Sequence, residues 1–134
     1  MKWVLDTTAF SALMKKDPDA LTLVQNYPPR HIVTVPPVVA EIQFGIKRLD
    51  SSTRKSLLLS TQRDRLLSVI AVLPWLHESS DYFGKIKANL ERRGELIDDF
   101  DIAIAAIALS HHCGVMTANL RHFQRIKSLE CANW

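Results

Sequence analysis

Three carboxylates and one carboxamide stand where apolar runs begin, end or are interrupted. Asp6 follows Lys2-Trp3-Val4-Leu5, Glu41 lies inside Val38-Val39-Ala40-Glu41-Ile42, Asp101 precedes Ile102-Ala103-Ile104-Ala105-Ala106, and Asn119 follows Val115-Met116-Thr117. Burying a polar group without partners costs roughly 2–7 kcal/mol, and an ionised carboxylate costs more. Three such carboxylates in a small protein are explained if they converge and a cation compensates them. An oxygen-only ligand set favours Mg²⁺, with Mn²⁺ as the alternative.

Each group also has a simpler role. Asp6 can cap the helix that follows it. Glu41 can be a solvated surface residue, although Val38 and Gly45 share its helical face, which gives that face a buried look. Gly45 costs its helix about 1 kcal/mol relative to Ala, and close approach of another backbone would explain it. Within Asp98-Asp99-Phe100-Asp101, Asp98 is assigned as the helix cap and Asp101, directly against the apolar run, as the ligand; Asp99 stays open between the two. The helix N-terminus there stabilises negative charge by about 0.3–1 kcal/mol. Asn119 can close an Asx turn or offer its amide oxygen to a metal or water. His111-His112-Cys113 invites a zinc reading, but no second Cys/His cluster has zinc spacing.

Alternating strands and helices must position these groups. Residues 2–5 read as a short buried strand, followed by a helix through Phe10, Leu13 and Met14. Asp17-Pro18-Asp19 starts a second helix, which Tyr27-Pro28-Pro29-Arg30 breaks. His31 to Val35 is β-branched and reads as a strand. Pro36-Pro37 opens a helix to about Leu49. A long amphipathic helix from Ser51 to about Leu67 precedes a strand over Val69 to Leu73. Helices follow over Glu78 to Arg93, closed by Gly94, and over Asp98 to His112, with Gly114 as its stop. Val115 to Thr117 reads as a strand, Leu120 to Ile126 as a short helical turn, and Leu129 to Trp134 as a last edge strand. The pattern predicts an α/β fold with a mainly parallel sheet. Ligands in such sheets collect at the carboxyl ends of strands, where Asp6 and Asn119 both fall.

The length of 134 residues suits one domain over residues 1–134, and 47% apolar content argues against disorder. Two cysteines, Cys113 and Cys131, suggest free thiols and a reduced, cytoplasmic setting. No apolar stretch reaches the roughly 20 residues of a membrane span, and the N-terminus shows no signal-peptide pattern. A net charge of +3 permits an anionic partner without demanding one.

Taken together the motifs resemble a known family. Val4-Leu5-Asp6-Thr7-Thr8, Val38 to Gly45, Asp99-Phe100-Asp101-Ile102-Ala103-Ile104-Ala105-Ala106 and Thr117-Ala118-Asn119-Leu120-Arg121-His122-Phe123 look like the four motifs of PIN-domain ribonucleases. The closing Leu129-Glu130-Cys131-Ala132-Asn133-Trp134 resembles the end of VapC-type toxins of that family. The resemblance implies a PIN-like three-layer fold and Mg²⁺-dependent RNA cleavage, with tRNA among the candidate substrates. It also implies a VapB-like antitoxin, a homodimer, and an acidic triad of Asp6, Glu41 and Asp101 with Asn119 at the fourth position. On that reading Asp6 and Asp101 hold the metal, and Glu41 binds it through water or orients the nucleophile. Thr7 or Thr117 supplies supporting hydroxyls, and Arg121, Lys85 and Lys87 are candidate phosphate contacts.

Three positions depart from the family pattern. Thr8 stands where Asn is frequent, Asn119 where many members carry Asp, and His122 where similar toxins often carry an acid. The last two remove negative charge that would hold a second metal. Other readings are a PIN nuclease that processes RNA without being a toxin, a binding module that has lost turnover, and a hydrolase using an aspartate nucleophile at Asp6. The last usually wants a second acid two residues on, where this chain has Thr8. The apolar residues Phe10, Leu13 and Met14, and the helix carrying Phe44 and Ile46, are the expected source of a dimer surface.

Overall fold

A computed structural model describes residues 1–134. Its elements alternate as the hydrophobic pattern requires: β1 (Trp3–Leu5), α1 (Thr7–Met14), α2 (Pro18–Val24), a 3₁₀ turn (Pro29–His31), β2 (Ile32–Thr34), α3 (Pro36–Lys47), α4 (Arg54–Leu67), β3 (Ala71–Val72), α5 (His77–Arg92), α6 (Asp99–Ser110), β4 (Gly114–Met116), α7 (Leu120–Phe123) and β5 (Cys131–Ala132). The five strands form one sheet in the order β3-β2-β1-β4-β5. Every neighbouring pair is parallel, so the sheet is wholly rather than mainly parallel. Val4 and Leu5 point to opposite faces of β1, and neither is exposed at all. Both faces are therefore covered, which makes the three-layer α/β arrangement of a PIN-like fold.

Sequence order leaves β1 in two directions. The chain runs outward from β1 to β2 and β3, then returns to the other side of β1 for β4 and β5. A crevice at the carboxyl ends of the strands is expected where the order reverses, between β1 and β4. Asp6 follows β1 there and Thr117 follows β4, and the Asp6 N–H donates to the Met116 carbonyl at 3.1 Å across the gap.

α6 is the central helix. Ile102, Ile104, Ala105, Ala106, Ile107 and Ala108 are all fully buried, because the helix is apolar on every side and is covered by α3, α5, α7 and the sheet. The Asp98 side chain caps it by accepting the Phe100 N–H. α3 starts on Pro36 and Pro37, where missing N–H groups are tolerated, with no side-chain cap. No helix is long and apolar enough to cross a membrane.

Several local expectations are corrected. Gly114 does not stop α6: His112 takes the left-handed conformation (φ 57°) that ends it, and Gly114 belongs to β4. A Cβ at Gly114 would lie 2.5 Å from Cζ3 of Trp3 and 3.0 Å from the Glu130 carbonyl oxygen, so the glycine permits the indole to pack across the strand. β3 covers only Ala71–Val72 instead of Val69 to Leu73, since the N–H groups of Val69 and Ile70 both donate to the Leu66 carbonyl in closing α4. β5 is likewise limited to Cys131–Ala132. No backbone closes on Gly45; nothing lies within 4 Å of a Cβ built there. Phe10 is fully buried in the core, and Met14 and Ile46 show only an edge to solvent, whereas Phe44 is 67% exposed and Leu57 68%.

Candidate active site

Asp6 is built as a cap and as something more. Its backbone is extended, as a helix cap requires, and Oδ1 accepts the Ala9 N–H at 2.8 Å. The same oxygen accepts the Thr8 hydroxyl at 2.6 Å, and Oδ2 accepts the Thr117 hydroxyl at 2.6 Å. Both threonines are tied back: Thr8 Oγ1 accepts the Ala118 N–H at 2.9 Å and Thr117 Oγ1 accepts the Asn119 N–H at 2.7 Å. The loops after β1 and β4 are thus knotted through a carboxylate that is 2% exposed. Oδ1 has spent its two acceptor directions, and Oδ2 keeps one.

Glu41 projects from α3 toward α1, where the Thr7 hydroxyl donates to Oε1 at 2.5 Å, leaving Oε2 without a protein partner. Asp101, in the first turn of α6, lies with Oδ2 3.2 Å from Nδ1 of His122, and its Oδ1 is likewise free. The carboxamide nitrogen of Asn119 is 2.7 Å from the same Nδ1. If Nδ1 carries a proton it donates to Asp101, and Asn119 turns its oxygen to the ring; if not, Nδ1 accepts from Asn119. With its nitrogen at the ring, Asn119 keeps its amide oxygen open to a metal or water; with its oxygen at the ring, it does not.

Electrostatics follow from burial. Desolvation raises the proton affinity of Asp6, offset by the hydrogen bonds from Thr117, Thr8 and Ala9. Desolvation also raises that of Asp101, with the His122 hydrogen bond opposing and the negative charge of Asp6 adding to the rise. The field of Asp6 extends to β5, where burial and that charge push the Cys131 thiol up to about 11. Burial raises the Cys113 thiol as well, so neither cysteine is poised as a thiolate. No lysine or arginine pairs with Asp6, Glu41 or Asp101. Their negative charge is met only by hydroxyls, one backbone N–H and one imidazole.

The remaining candidates are placed elsewhere. Asp99 is an exposed partner of Lys87 at 2.9 Å, and Lys85 pairs with Asp81 at 2.8 Å, both at the surface. Arg121 is exposed on α7, two residues beyond Asn119. His111 Nε2 lies 2.9 Å from the Pro74 carbonyl oxygen, away from any metal-like grouping. Thr8 and His122, which in the sequence stand out only as departures from the family pattern, both touch the carboxylates. The spacing of Thr8 two residues after Asp6, and of His122 three residues after Asn119 on one helical face, was the available signal.

A family model described as the PIN domain matches residues 3–129. The chain belongs to the PIN-domain family. This PIN-domain protein is similar to the ribonuclease VapC2 of Haemophilus influenzae, at 29% identity over 134 residues covering 100% of this chain and 98% of that protein. It is 25% identical over 134 residues to the tRNA(fMet)-specific endonuclease VapC of Salmonella typhimurium, covering 100% and 98%. Its fold superposes on a chain of the VapBC2 complex of Rickettsia felis with a TM-score of 0.87 at 25% identity, covering 100% and 99%.

The donor set fits a hard divalent cation. Oxygens remain open on Asp6, Asp101 and Glu41, and buried negative charge there lacks a basic partner. No group of three or more His, Cys, Asp and Glu side chains is placed to hold a metal ion by itself. Mg²⁺ keeps several waters and is usually held by one or two carboxylates together with substrate phosphate, and Asp6 and Asp101 are the carboxylates that would hold it. Zinc, which takes nitrogen and sulfur ligands in tetrahedral cages, does not fit.

Proposed function

We propose that this PIN-domain protein is a Mg²⁺-dependent endoribonuclease and the toxin of a VapBC-type pair, with Mn²⁺ able to replace Mg²⁺. The observation that carries the reading is the buried Asp6 carboxylate, set at the switch point of the sheet and facing Asp101, with no lysine or arginine to neutralise either. Asp6 Oδ2 and Asp101 Oδ1 would hold the cation. A divalent cation bound there supplies Lewis acidity that activates a water for in-line attack on a phosphodiester and stabilises the departing oxygen. Thr8 and Thr117 hold Asp6 in one rotamer, so its open oxygen is aimed before substrate arrives. Thr7 fixes Glu41, whose free Oε2 orients the attacking water. When its Nδ1 carries a proton, His122 pins Asp101 Oδ2 and leaves Oδ1 for the cation.

A groove runs beside Glu41, lined by Met14, Ile42, Gly45, Ile46 and Leu59 with Lys15, Arg48 and Lys55 at its rim. The open space over Gly45 suits a segment of a VapB-like antitoxin. An arginine on that segment would pair with Asp6 or Asp101 and compete with the cation. The exposed Phe44, Leu57 and Leu58 are the apolar surface for a symmetric homodimer. The substrate is RNA, with tRNA the first class to examine. Expression without a partner tests the toxin role. The wild type should arrest growth and create new RNA ends detectable by sequencing, and Glu41→Gln should do neither; equal arrest by both would reject a nuclease-based toxin.

A further inference from the structure

At the carboxyl end of the sheet one buried hydroxyl takes no part in the contacts to the carboxylates. Ile32-Val33-Thr34-Val35 is otherwise an apolar run, and Thr34 at the end of β2 has no exposure. A hydroxyl in such a place costs free energy unless it is bonded, and valine would fill the same space without that cost. The Thr34 hydroxyl donates to the Leu5 carbonyl at 3.0 Å. The backbone ladder between β1 and β2 ends earlier, at Val4↔Val33, and Val35 turns away to begin α3 on Pro36. The side chain therefore extends the pairing of the two strands by one bond, at the residue before Asp6.

The same peptide group is held on its other side as well. It presents the Leu5 carbonyl to β2 and the Asp6 N–H to β4, where that N–H donates to the Met116 carbonyl at 3.1 Å. A peptide group is planar, so bonds at both ends fix its plane. That plane, with Asp6 at φ −75°, sets the direction of the Cα–Cβ bond that carries the carboxylate. The anchors are themselves tied to the outer strands. The Thr34 carbonyl accepts the Leu73 N–H at 2.8 Å just past β3, and Thr117, next to Met116, donates its N–H to the Ala132 carbonyl of β5 at 3.0 Å. These bonds cross the sheet at the end where the acids stand. Thr8, Thr117 and the Ala9 N–H hold the carboxylate itself; Thr34 holds the peptide from which it projects.

Resting on the assignment of Asp6 as a ligand of a divalent cation, we infer that Thr34 is a positioning residue for that ligand: its hydroxyl fixes the Leu5–Asp6 peptide between β2 and β4 and so aims the open oxygen of Asp6 before the ion arrives. Thr34 acts through one peptide group and is bonded to neither the carboxylate nor the ion. Removing a partner that orients a metal ligand typically weakens metal binding by about 10–100-fold, and an indirect partner falls at the lower end of that range.

The test has a metal-free arm and a Mn²⁺ arm. In the metal-free protein, hydrogen exchange of the Asp6 amide is compared with that of the Val115 amide, which donates to the Glu130 carbonyl at 2.9 Å and serves as internal reference. Thr34→Val should speed Asp6 exchange several-fold relative to Val115. Thr34→Ser, which keeps the hydroxyl and loses the methyl, should not. Mn²⁺ binding, read from the electron paramagnetic resonance signal of the free ion, should weaken about tenfold in Thr34→Val and stay at the wild-type value in Thr34→Ser. RNA cleavage by Thr34→Val should need more Mg²⁺, with KM for RNA unchanged. Ser79→Ala removes another fully buried hydroxyl, which accepts the Leu76 N–H at 3.0 Å and bonds Ser110 at 2.7 Å at the opposite end of α6 from Asp101. It should cost stability and leave Mn²⁺ affinity unchanged. Wild-type Mn²⁺ affinity or unchanged Asp6 exchange in Thr34→Val overturns the positioning role while leaving the cation reading intact. So does an equal loss of affinity in Ser79→Ala. A tenfold loss in Thr34→Ser overturns it too, and that variant decides the matter if the valine protein folds poorly. A wild type that binds no Mn²⁺ and cuts no RNA overturns the cation reading itself, and the role of Thr34 toward the ion falls with it.

Discussion

Replacing Thr117 by Val removes one hydroxyl and very little volume, yet it reaches the centre of the site. The hydroxyl donates to Asp6 Oδ2 at 2.6 Å and accepts the Asn119 N–H at 2.7 Å, in a place with no exposure. A hydrogen bond to a charged group contributes about 1.5–3 kcal/mol and a neutral one about 0.5–1.5 kcal/mol. Losing both should destabilise the metal-free protein at neutral pH by about 2–4 kcal/mol, read from urea unfolding. The effect depends on pH in a defined direction. Thr117 is the foremost of the hydrogen bonds that oppose the rise in Asp6 proton affinity, so its loss raises that affinity further. The deficit should be largest where Asp6 is ionised in the wild type and should shrink as pH falls through the raised Asp6 value, since a protonated carboxyl needs the donor less. RNA cleavage should need more Mg²⁺ and should rise at higher pH than in the wild type. Thr117→Ser keeps the hydroxyl and should stay close to wild type in both assays. A Thr117→Val protein within about 0.5 kcal/mol of wild type, with an unchanged Mg²⁺ requirement, would refute the knotted-carboxylate account, because that is the scatter of inert surface changes.

Asp101→Asn should stabilise the metal-free protein: burial raises the Asp101 proton affinity, so the folded wild type loses stability as pH climbs from the ordinary carboxylate value of 3.8 through the raised one, and the asparagine does not. Urea unfolding across pH should show the difference growing with pH and then levelling. Gly114→Ala drives a methyl into the Trp3 ring and should cost about 1–3 kcal/mol in the same assay, with no change in Mg²⁺ requirement. Light scattering at micromolar concentration should report a homodimer, and a monomer would count against the exposed Phe44, Leu57 and Leu58 surface. Inhibition by an arginine-bearing antitoxin segment should weaken as Mg²⁺ is raised; inhibition indifferent to Mg²⁺ would exclude competition at the carboxylates.

Elements with strong, uninterrupted patterns were legible from the sequence. The apolar run behind Asp101 made α6 central, Asp98 capped it, and the double proline opened α3. β1 and β2 could be read from their β-branched and apolar residues because both are buried on two faces. What escaped depends on neighbours distant in sequence. Gly114 looked like a helix stop because glycine after a helix usually is one, and only the Trp3 ring, packed from β1, shows why no side chain fits there. Phe10 and Met14 looked like spare apolar surface until α3 and α4 closed over α1. Lys85 and Lys87 read as free cations in the sequence, and in the fold they form exposed pairs with Asp81 one turn away and Asp99 on the neighbouring helix. Thr8 and His122 became part of the site only when the loops after β1 and β4 met. Sequence spacing shows which residues share a helix face; it does not show which side chain from another element fills the hydrogen bond.

The central claim is that Asp6 and Asp101 hold a divalent cation that cleaves RNA. The most direct measurement follows RNA cleavage by the purified wild type and Asp101→Asn proteins while Mg²⁺ is removed with EDTA and then restored. The account predicts that the wild type stops in EDTA and resumes with excess Mg²⁺. Asp101→Asn, folded by circular dichroism, should cut about 10²–10³-fold more slowly, the loss typical of removing one principal electrostatic stabiliser. A folded Asp101→Asn protein that cuts at the wild-type rate, or a wild type indifferent to EDTA, would contradict it.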